Sequence, residues 1–381
     1  MKYLSSLKNE DLAGKICLLR IDFNIEKAEL AGAKNHPRLA LVLPTIKFLI
    51  KNGAKVVILS HRGRPLEKSK IKNQKSKLQF KIQKELSLRP FVKILSSLLK
   101  KPVHFIDFKN GFNALEISKI IARNSIFLLE NLRYFEGEEK NDKNFAKRLA
   151  SLGDFFVNDA FSVSHRANAS VAAITEFLPS YAGFQLEKEI KNLSIAIKKP
   201  LVVILGGAKI SDKIGLLKNF MAEADYFLIG GGMAHNFLLA QGLPIGNSIF
   251  EEKTIGFAKK MLKNRKVILP ADYVIKDRKI LDIGPKTLEK YSEIIKNAKT
   301  IIWNGPMGYF ENPKFAKGSE EIAKAIMANK KAFSIIGGGE TVELMSNVKC
   351  QKSKVFLSTG GGAMLEYLAG KKMPGIEALN K

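Results

Sequence analysis

LVVILGGAKISDK, residues 201–213, carries the reading of the fold. Five apolar residues run without a polar break, and two glycines and a lysine then lead into a polar stretch that opens a helix. A run that is apolar throughout suits a strand buried on both faces of a parallel sheet. The pattern recurs outward from this stretch. Later in the chain come YFLIGGG (226–232), KVILP (266–270), TIIWNG (300–305), FSIIGGG (333–339) and VFLSTGGG (355–362). Earlier come KICLLRIDF (15–23), KVVILS (55–60), PVHFI (102–106), SIFLLE (125–130) and DFFVND (154–159). Helical periodicity fills the gaps, as at 39–50, 91–99 and 145–152, and strands alternating with helices argue for βαβ units. The expectation is α/β, with two doubly wound parallel-sheet domains. The stripe Leu186, Ile190, Leu193, Ile197 in 183–200 predicts one long connecting helix closed by Pro200. The expected division is a first domain over 1–183, a helix over 184–199 and a second domain over 200–362. HRGRP and the Lys-rich stretch after it, 65–90, predict a long exposed loop.

At 381 residues, with 46% hydrophobic and 26% charged residues, the chain suits two domains that each bury a core. No apolar run approaches the roughly 20 residues that span a bilayer, and MKYLSSLKNEDLAGK lacks the apolar core of a signal peptide. Cys17 and Cys350 are too few for a disulfide framework or a thiolate metal site. Secreted, membrane and zinc-finger classes are excluded, and a cytoplasmic soluble protein is expected, with no membrane partner. The net charge of +27 comes from 52 Lys and 11 Arg against 36 acidic residues. The lysines spread over the whole chain without a reader motif, so no nucleic-acid partner is expected.

Arginine and glycine are distributed more tellingly. Nine of the 11 Arg precede residue 200, whereas 21 of the 29 Gly follow it. In the second half five strands end in Gly-rich turns: Gly206-Gly207, Gly230-Gly231-Gly232, Asn304-Gly305, Gly337-Gly338-Gly339 and Gly360-Gly361-Gly362. In an open parallel sheet these turns all fall at the ligand-binding edge, where glycine admits a phosphate to backbone N–H groups. A nucleotide site is the expectation, yet no GxxxxGK[ST] occurs, and His235, Val342 and Leu365 stand where GxGxxG needs its last glycine. Lys209 and Lys213, four apart beside the first turn, share one face. In the first half the strand ends carry Arg20, Asp22 and Asn24 in RIDFN, then His61-Arg62-Gly63-Arg64, Arg133 and His165-Arg166, with Arg38 at a helix start. Lysine could replace a surface arginine freely but not a bidentate fork on phosphate or carboxylate, so these arginines predict a site for a small, multiply anionic substrate.

RIDFN, SHRGRP, LENLRYFEGEE, NDAFSVSHRANAS, LGGAKISDK, GGGMA, DIGPKT, WNGPMGYFE, IGGGET and STGGGAMLEYLAGKKMPGI resemble, in order and over the whole chain, the phosphoglycerate kinase family. The resemblance implies two Rossmann-like domains, with the tail 363–381 completing the first, and a monomer that closes on its ligands. 3-Phosphoglycerate or 1,3-bisphosphoglycerate would sit on the first domain and ADP or ATP, with Mg²⁺, on the second. Carried over residue by residue, the substrate patch falls on Arg38, His61, Arg62, Gly63, Arg64, Arg133 and Arg166, with Asp22, Phe23 and Asn24 beside it. Lys213, Asn304, Glu311, Gly338, Gly339, Glu340 and Thr341 match nucleotide contacts. Arg38, Lys209 and Lys213 match the groups that act on the phosphoryl group in flight. The family usually carries Asp where Glu340 stands, and that carboxylate is its Mg²⁺ ligand; Asn168 replaces a usual His.

Two other classes compete with this reading. A different acid or sugar kinase would need another nucleotide signature, and the sequence holds none. A non-catalytic basic protein on a degenerate kinase fold would show salt-sensitive polyanion affinity without ATP turnover.

Overall fold

The computed structural model describes residues 1–25, 32, 34, 36–65, 86–108, 111–121, 125–347 and 354–380. Most of the expected 65–90 loop, and Cys350, lie outside them. Two compact units result: Met1–Ile190 together with Lys372–Lys381, and Lys191–Lys371.

The first unit is built on a six-stranded sheet of β1 (Ile16–Arg20), β2 (Lys55–Leu59), β3 (His104–Ile106), β4 (Ile126–Leu129), β5 (Phe155–Asn158) and β6 (Ser180–Ala182). The order is β3-β4-β2-β1-β5-β6 and every pairing is parallel. Cys17, Leu19, Val56, Ile58, Ile126, Leu128 and Val157 bury one face against Leu39, Val42, Ile46 and Leu49 of the helix Pro37–Lys51. Pro37 at the first helical position suits a helix start, because its missing N–H is one the helix would leave unpaired.

The second unit repeats the plan with β7 (Leu201–Leu205), β8 (Tyr226–Ile229), β9 (Val267–Ile268), β12 (Thr300–Asn304), β13 (Phe333–Gly337) and β14 (Val355–Ser358). The order is β14-β13-β12-β7-β8-β9, again all parallel. The five glycine turns therefore lie on one edge, as the sequence predicts. Trp303, Ile301, Val202 and Ile336 pack under the helices Pro285–Asn297 and Lys317–Ala328.

Three expectations change. Between β9 and β12 the structure adds an antiparallel hairpin, β10 (Tyr273–Lys276) with β11 (Lys279–Ile283), which the strand pattern in the sequence does not predict. Its two-residue turn, Asp277-Arg278, holds both residues at positive φ, a conformation usually signalled by Asn-Gly or Asp-Gly. The connecting helix spans Phe184–Leu193 and does not reach Ile197. Beyond it the backbone is taken into the second sheet: Lys198 N–H donates to Thr300 Oγ1 (2.9 Å), and Thr300 Oγ1 donates back to the Lys198 carbonyl (2.8 Å). The tail joins the first unit at Lys372, not at residue 363. The helix Gly362–Leu368 stays with the second unit, where Asn219 Nδ2 donates to the Leu368 carbonyl. Gly375 N–H, in contrast, donates to the Ser164 carbonyl of the first unit (2.9 Å).

Candidate functional site

The carboxyl ends of β4, β2, β1 and β5 converge on one cationic cluster in the first unit. Arg38, in the first turn of Pro37–Lys51, is one-third exposed at 33% and donates through Nη1 to Asp22 Oδ2. Ser162 Oγ donates to the same oxygen, and Asn24 N–H donates to Oδ1 (2.7 Å). Burial pushes the Asp22 carboxyl up, but His61, Arg38, Ser162 and Asn24 outweigh it and bring it down to about 2. Asp22 is thus an ionised anchor that orients Arg38. Behind it, Arg20 is buried and donates to Ser170 Oγ (2.9 Å) and His61 Nδ1 (3.1 Å), with Glu138 at 4.0 Å. Burial holds His61 well below its ordinary pKa; Asp22 opposes the shift, while Arg20, Arg133 and Arg38 add to it.

Gly63 joins the loops. Its N–H donates to Asn24 Oδ1 (2.8 Å), and its carbonyl accepts from Arg133 Nη1 (2.7 Å). Burial, then Arg20 and Arg166, lowers the Arg133 pKa to about 10, so three guanidinium groups crowd one another. Such crowding is relieved by a bound polyanion. Arg166 is half-buried and donates to His165 Nε2 (3.1 Å); Arg64 is exposed. Two expected residues face elsewhere. Arg62 is buried and donates to the carbonyls of Ile25 (2.8 Å) and Ser87 (3.4 Å). Phe23 is fully buried and stacks on Phe91 at 4.8 Å. Both build the floor. Sequence position alone could not separate them from their exposed neighbours.

In the second unit the turns interlock. A Cβ on Gly206 would lie 2.0 Å from the Pro306 carbonyl oxygen, so β7 and β12 end in mutual backbone contact that only glycine permits. Gly207, at φ +84°, donates its N–H to that carbonyl (2.8 Å). Gly305 N–H donates to Thr341 Oγ1 (2.9 Å), and Asn304 Nδ2 donates to the Gly337 carbonyl (2.9 Å). Gly338, at φ +97°, completes the turn over Asn304 and Thr341, and Gly339 opens the helix Gly339–Asn347. Lys213 is 8% exposed, against Gly207. Burial lowers its pKa, while Asp212, Glu340 and Glu251 oppose the shift. Lys209, four residues earlier, is exposed, so the shared face resolves into one buried and one exposed cation.

Next to these turns opens a cavity of about 460 Å³. Its walls come from Gly207-Ala208, Gly231-Gly232, the loop 247–249, the hairpin and Pro306–Tyr309, with Glu311 and Glu340 at the rim. His235 lines it too, its Nδ1 paired with the Ile249 carbonyl (2.7 Å). The volume and the apolar walls with a few polar groups suit an aromatic base and its sugar. The sequence reading assigns no role in the cavity to His235, Ile249, Tyr273 or Tyr309; Tyr309 lies within WNGPMGYFE and His235 directly follows GGGMA, whereas Ile249 and Tyr273 stand on no motif.

A guanidinium cluster at one parallel sheet and a glycine-lined cavity with a buried lysine at another define a two-domain phosphotransferase without a P-loop. The family model described as phosphoglycerate kinase matches residues 7–371. The chain belongs to the phosphoglycerate kinase family, whose members are glycolytic kinases using a nucleotide substrate. It is 42% identical to the phosphoglycerate kinase of Dictyoglomus turgidum, over 99% of this chain and 98% of the relative. To that of Herpetosiphon aurantiacus it is 40% identical, covering 97% of each. The solved phosphoglycerate kinase of Coxiella burnetii matches with a TM-score of 0.79 and 34% identity, covering 99% of this chain and 98% of that one. That of Pyrococcus horikoshii matches at 0.80 and 30%, covering 100% and 98%. Among the described residues no helix is long and apolar enough to cross a membrane.

Proposed function

We propose that this chain transfers a phosphoryl group reversibly between 1,3-bisphosphoglycerate and ADP, giving 3-phosphoglycerate and ATP, in the cytoplasm and as a monomer. The observation that carries the reading is the split of anion-binding chemistry: guanidinium forks on one sheet, glycine turns and Lys213 on the other. In the ATP-consuming direction the nucleophile is a carboxylate, ionised at pH 7 because an α-carboxyl titrates near ~3.5. No general base is needed. What is needed is in-line positioning and neutralisation of the transferring group.

Arg133, Arg166, Arg64 and Asn24 would hold the phosphoglycerate, with Arg38 aimed by Asp22 at the migrating group. Lys213 and Lys209, with the N–H groups at Gly338-Gly339 and after Gly360-Gly361-Gly362, would hold the nucleotide phosphates. The base and ribose would fill the cavity, Glu311 at its rim. Closing the units on both ligands would exclude water from the reactive acyl phosphate.

Mg²⁺ fits at Glu340. Loss of water contact, then Glu311, holds that carboxyl above its ordinary pKa, with Glu343 adding and Lys213 opposing, so a cation there relieves repulsion. No cluster of three or more His, Cys, Asp or Glu able to hold a metal stands among the described residues, which accords with a metal held by one carboxylate, phosphates and water. When bound, Mg²⁺ would offset charge on the phosphate oxygens. A coupled assay of ATP formation from 1,3-bisphosphoglycerate and ADP tests the proposal; no ATP above background would remove it.

A further inference from the structure

Two neighbouring polar side chains of the helix Gly231–Ala240 tie it to the segment 247–254, and they are used unequally. Every polar atom of the Asn236 side chain is taken. Its Nδ2 donates to the Glu251 carbonyl (2.6 Å) and Thr254 Oγ1 (2.9 Å), and its Oδ1 accepts from Glu251 N–H (3.2 Å). His235, 3% exposed, uses one nitrogen on the same segment, Nδ1 against the Ile249 carbonyl. A carbonyl only accepts, so Nδ1 carries the ring hydrogen and Nε2 keeps a bare lone pair. Burial lowers the His235 pKa, with the Ile249 bond opposing, so the ring is neutral above about pH 6.5. Nε2 has no hydrogen-bond partner among the described residues, and it is not sealed from solvent.

With the rest of the residue buried, what Nε2 meets is the cavity that the ring lines. The other polar side chains set into this wall are committed to the protein. Ser248 Oγ donates to the Ile245 carbonyl and accepts from Ile280 N–H (2.8 Å). Asp282 accepts from Ile283 N–H through Oδ1 (2.9 Å) and from Gly318 N–H through Oδ2 (2.7 Å). The Tyr273 hydroxyl donates to the Pro270 carbonyl (3.1 Å). Asn247, Lys279, Glu311 and Glu340 are exposed at the cavity's margin. One unpaired acceptor thus stands in a buried wall that is otherwise apolar or satisfied.

We propose that His235 selects the base: Nε2 accepts from the 6-amino group of an adenine seated in the cavity and disfavours 6-oxopurines. This rests on the cavity being the base site of the proposed reaction. A 6-oxo group would set oxygen lone pairs against the nitrogen lone pair, and both would lose water without gaining a bond. A site with a buried group to pair rejects an analogue that cannot pair it, whereas an apolar slot discriminates mainly by size. The clamp on the segment 247–254 needs Nδ1 alone, so selection by Nε2 is a separate property of the same ring.

The test is calorimetry at about pH 8, where the ring is neutral. Its ligands are ADP, inosine diphosphate and purine-riboside diphosphate, which carries only hydrogen at position 6. The parent protein should bind ADP about tenfold or more tighter than inosine diphosphate, with the 6-hydrogen analogue between them. His235→Phe keeps a ring and lacks the acceptor, so the advantage of ADP should shrink to within about threefold. His235→Gln offers an N–H as well as a carbonyl, so inosine diphosphate should gain on ADP. Parent affinities for ADP and inosine diphosphate within about threefold of each other overturn the proposal, whatever the variants do. So does a folded variant that keeps the parent's ratio while its thermal midpoint falls, the result of a clamp alone. These affinities need no turnover. Ordered affinities without ATP formation in the coupled assay would remove phosphoryl transfer and keep the base contact, whereas failure of all three ligands to bind would remove both.

Discussion

Arg38 illustrates how much one residue's setting adds to its identity. Its guanidinium is one-third exposed and aimed by an Asp22 whose carboxyl stays ionised down to about pH 2. If it neutralises charge that develops only in transfer, Arg38→Ala should lower kcat about 10²-fold or more, roughly 3 kcal/mol, with a smaller change in KM. A variant within threefold of wild type would sink the role. At Glu340 the resemblance leads one to expect Asp, and this chain carries the longer side chain. Calorimetry of ADP binding against Mg²⁺ concentration should show Glu340→Asp needing less metal and Glu340→Ala more, with 3-phosphoglycerate affinity unchanged; three identical Mg²⁺ dependences would take the metal role away from this residue. Scarcity made the arginines legible as a site. Their burial was not legible, because Arg62 and Arg64 are two residues apart in a loop and only the fold turns one to backbone carbonyls and the other to solvent.

At the scale of elements, two buried carboxylates hold helix starts. Asp159 Oδ1 accepts from Gln185 N–H (2.7 Å) and Leu186 N–H (3.0 Å) at the head of Phe184–Leu193. Asp282 Oδ2 accepts from Gly318 N–H (2.7 Å) at the head of Lys317–Ala328. Burial raises both to about 6 despite these bonds. In the unfolded chain each titrates near ~3.9, so the folded state holds the proton more tightly and is favoured where the groups are neutral. Their contribution is complete below about pH 4 and is lost as pH rises through about 6, by up to about 3 kcal/mol each. Asp22 acts oppositely below about pH 4, and His61 and His235, both held below their ordinary pKa, act oppositely as pH rises towards about 6.5. In urea unfolding the double variant Asp159→Asn with Asp282→Asn should therefore gain stability relative to the parent as pH rises from about 4 to 6; a difference that does not change with pH would place the titration elsewhere. The same scale shows what the sequence concealed. Long apolar strands such as Leu201–Leu205 announced themselves, whereas Ser180–Ala182 has three residues with only Ala182 buried. The stripe through Ile197 was a true helical period, but periodicity cannot see that Thr300 takes up the backbone of Lys198.

For the whole molecule, the proposed reaction needs ligands on both units brought together. Small-angle scattering should show a smaller radius of gyration with 3-phosphoglycerate and nucleotide together than with either alone; the same radius in all states would contradict closure. The doubled architecture was legible because two series of strands repeat, each with its own turn chemistry. The division of the chain was less so, since it depends on which unit the last helix touches. That division has a consequence for biosynthesis. The segment beginning at Lys372 closes over Ser164 and Val171, where Gly375 leaves no room for a Cβ, and Asn158 Nδ2 donates to the Gly375 carbonyl (3.4 Å). About 180 residues, the entire second unit, are made between Ile190 and that segment. At roughly 5–20 residues per second, a ribosome would leave the first unit unsealed for about 10–40 s, its surface at Val171 waiting for a helical segment not yet translated. The half of the protein that is synthesised first is thus the half that matures last.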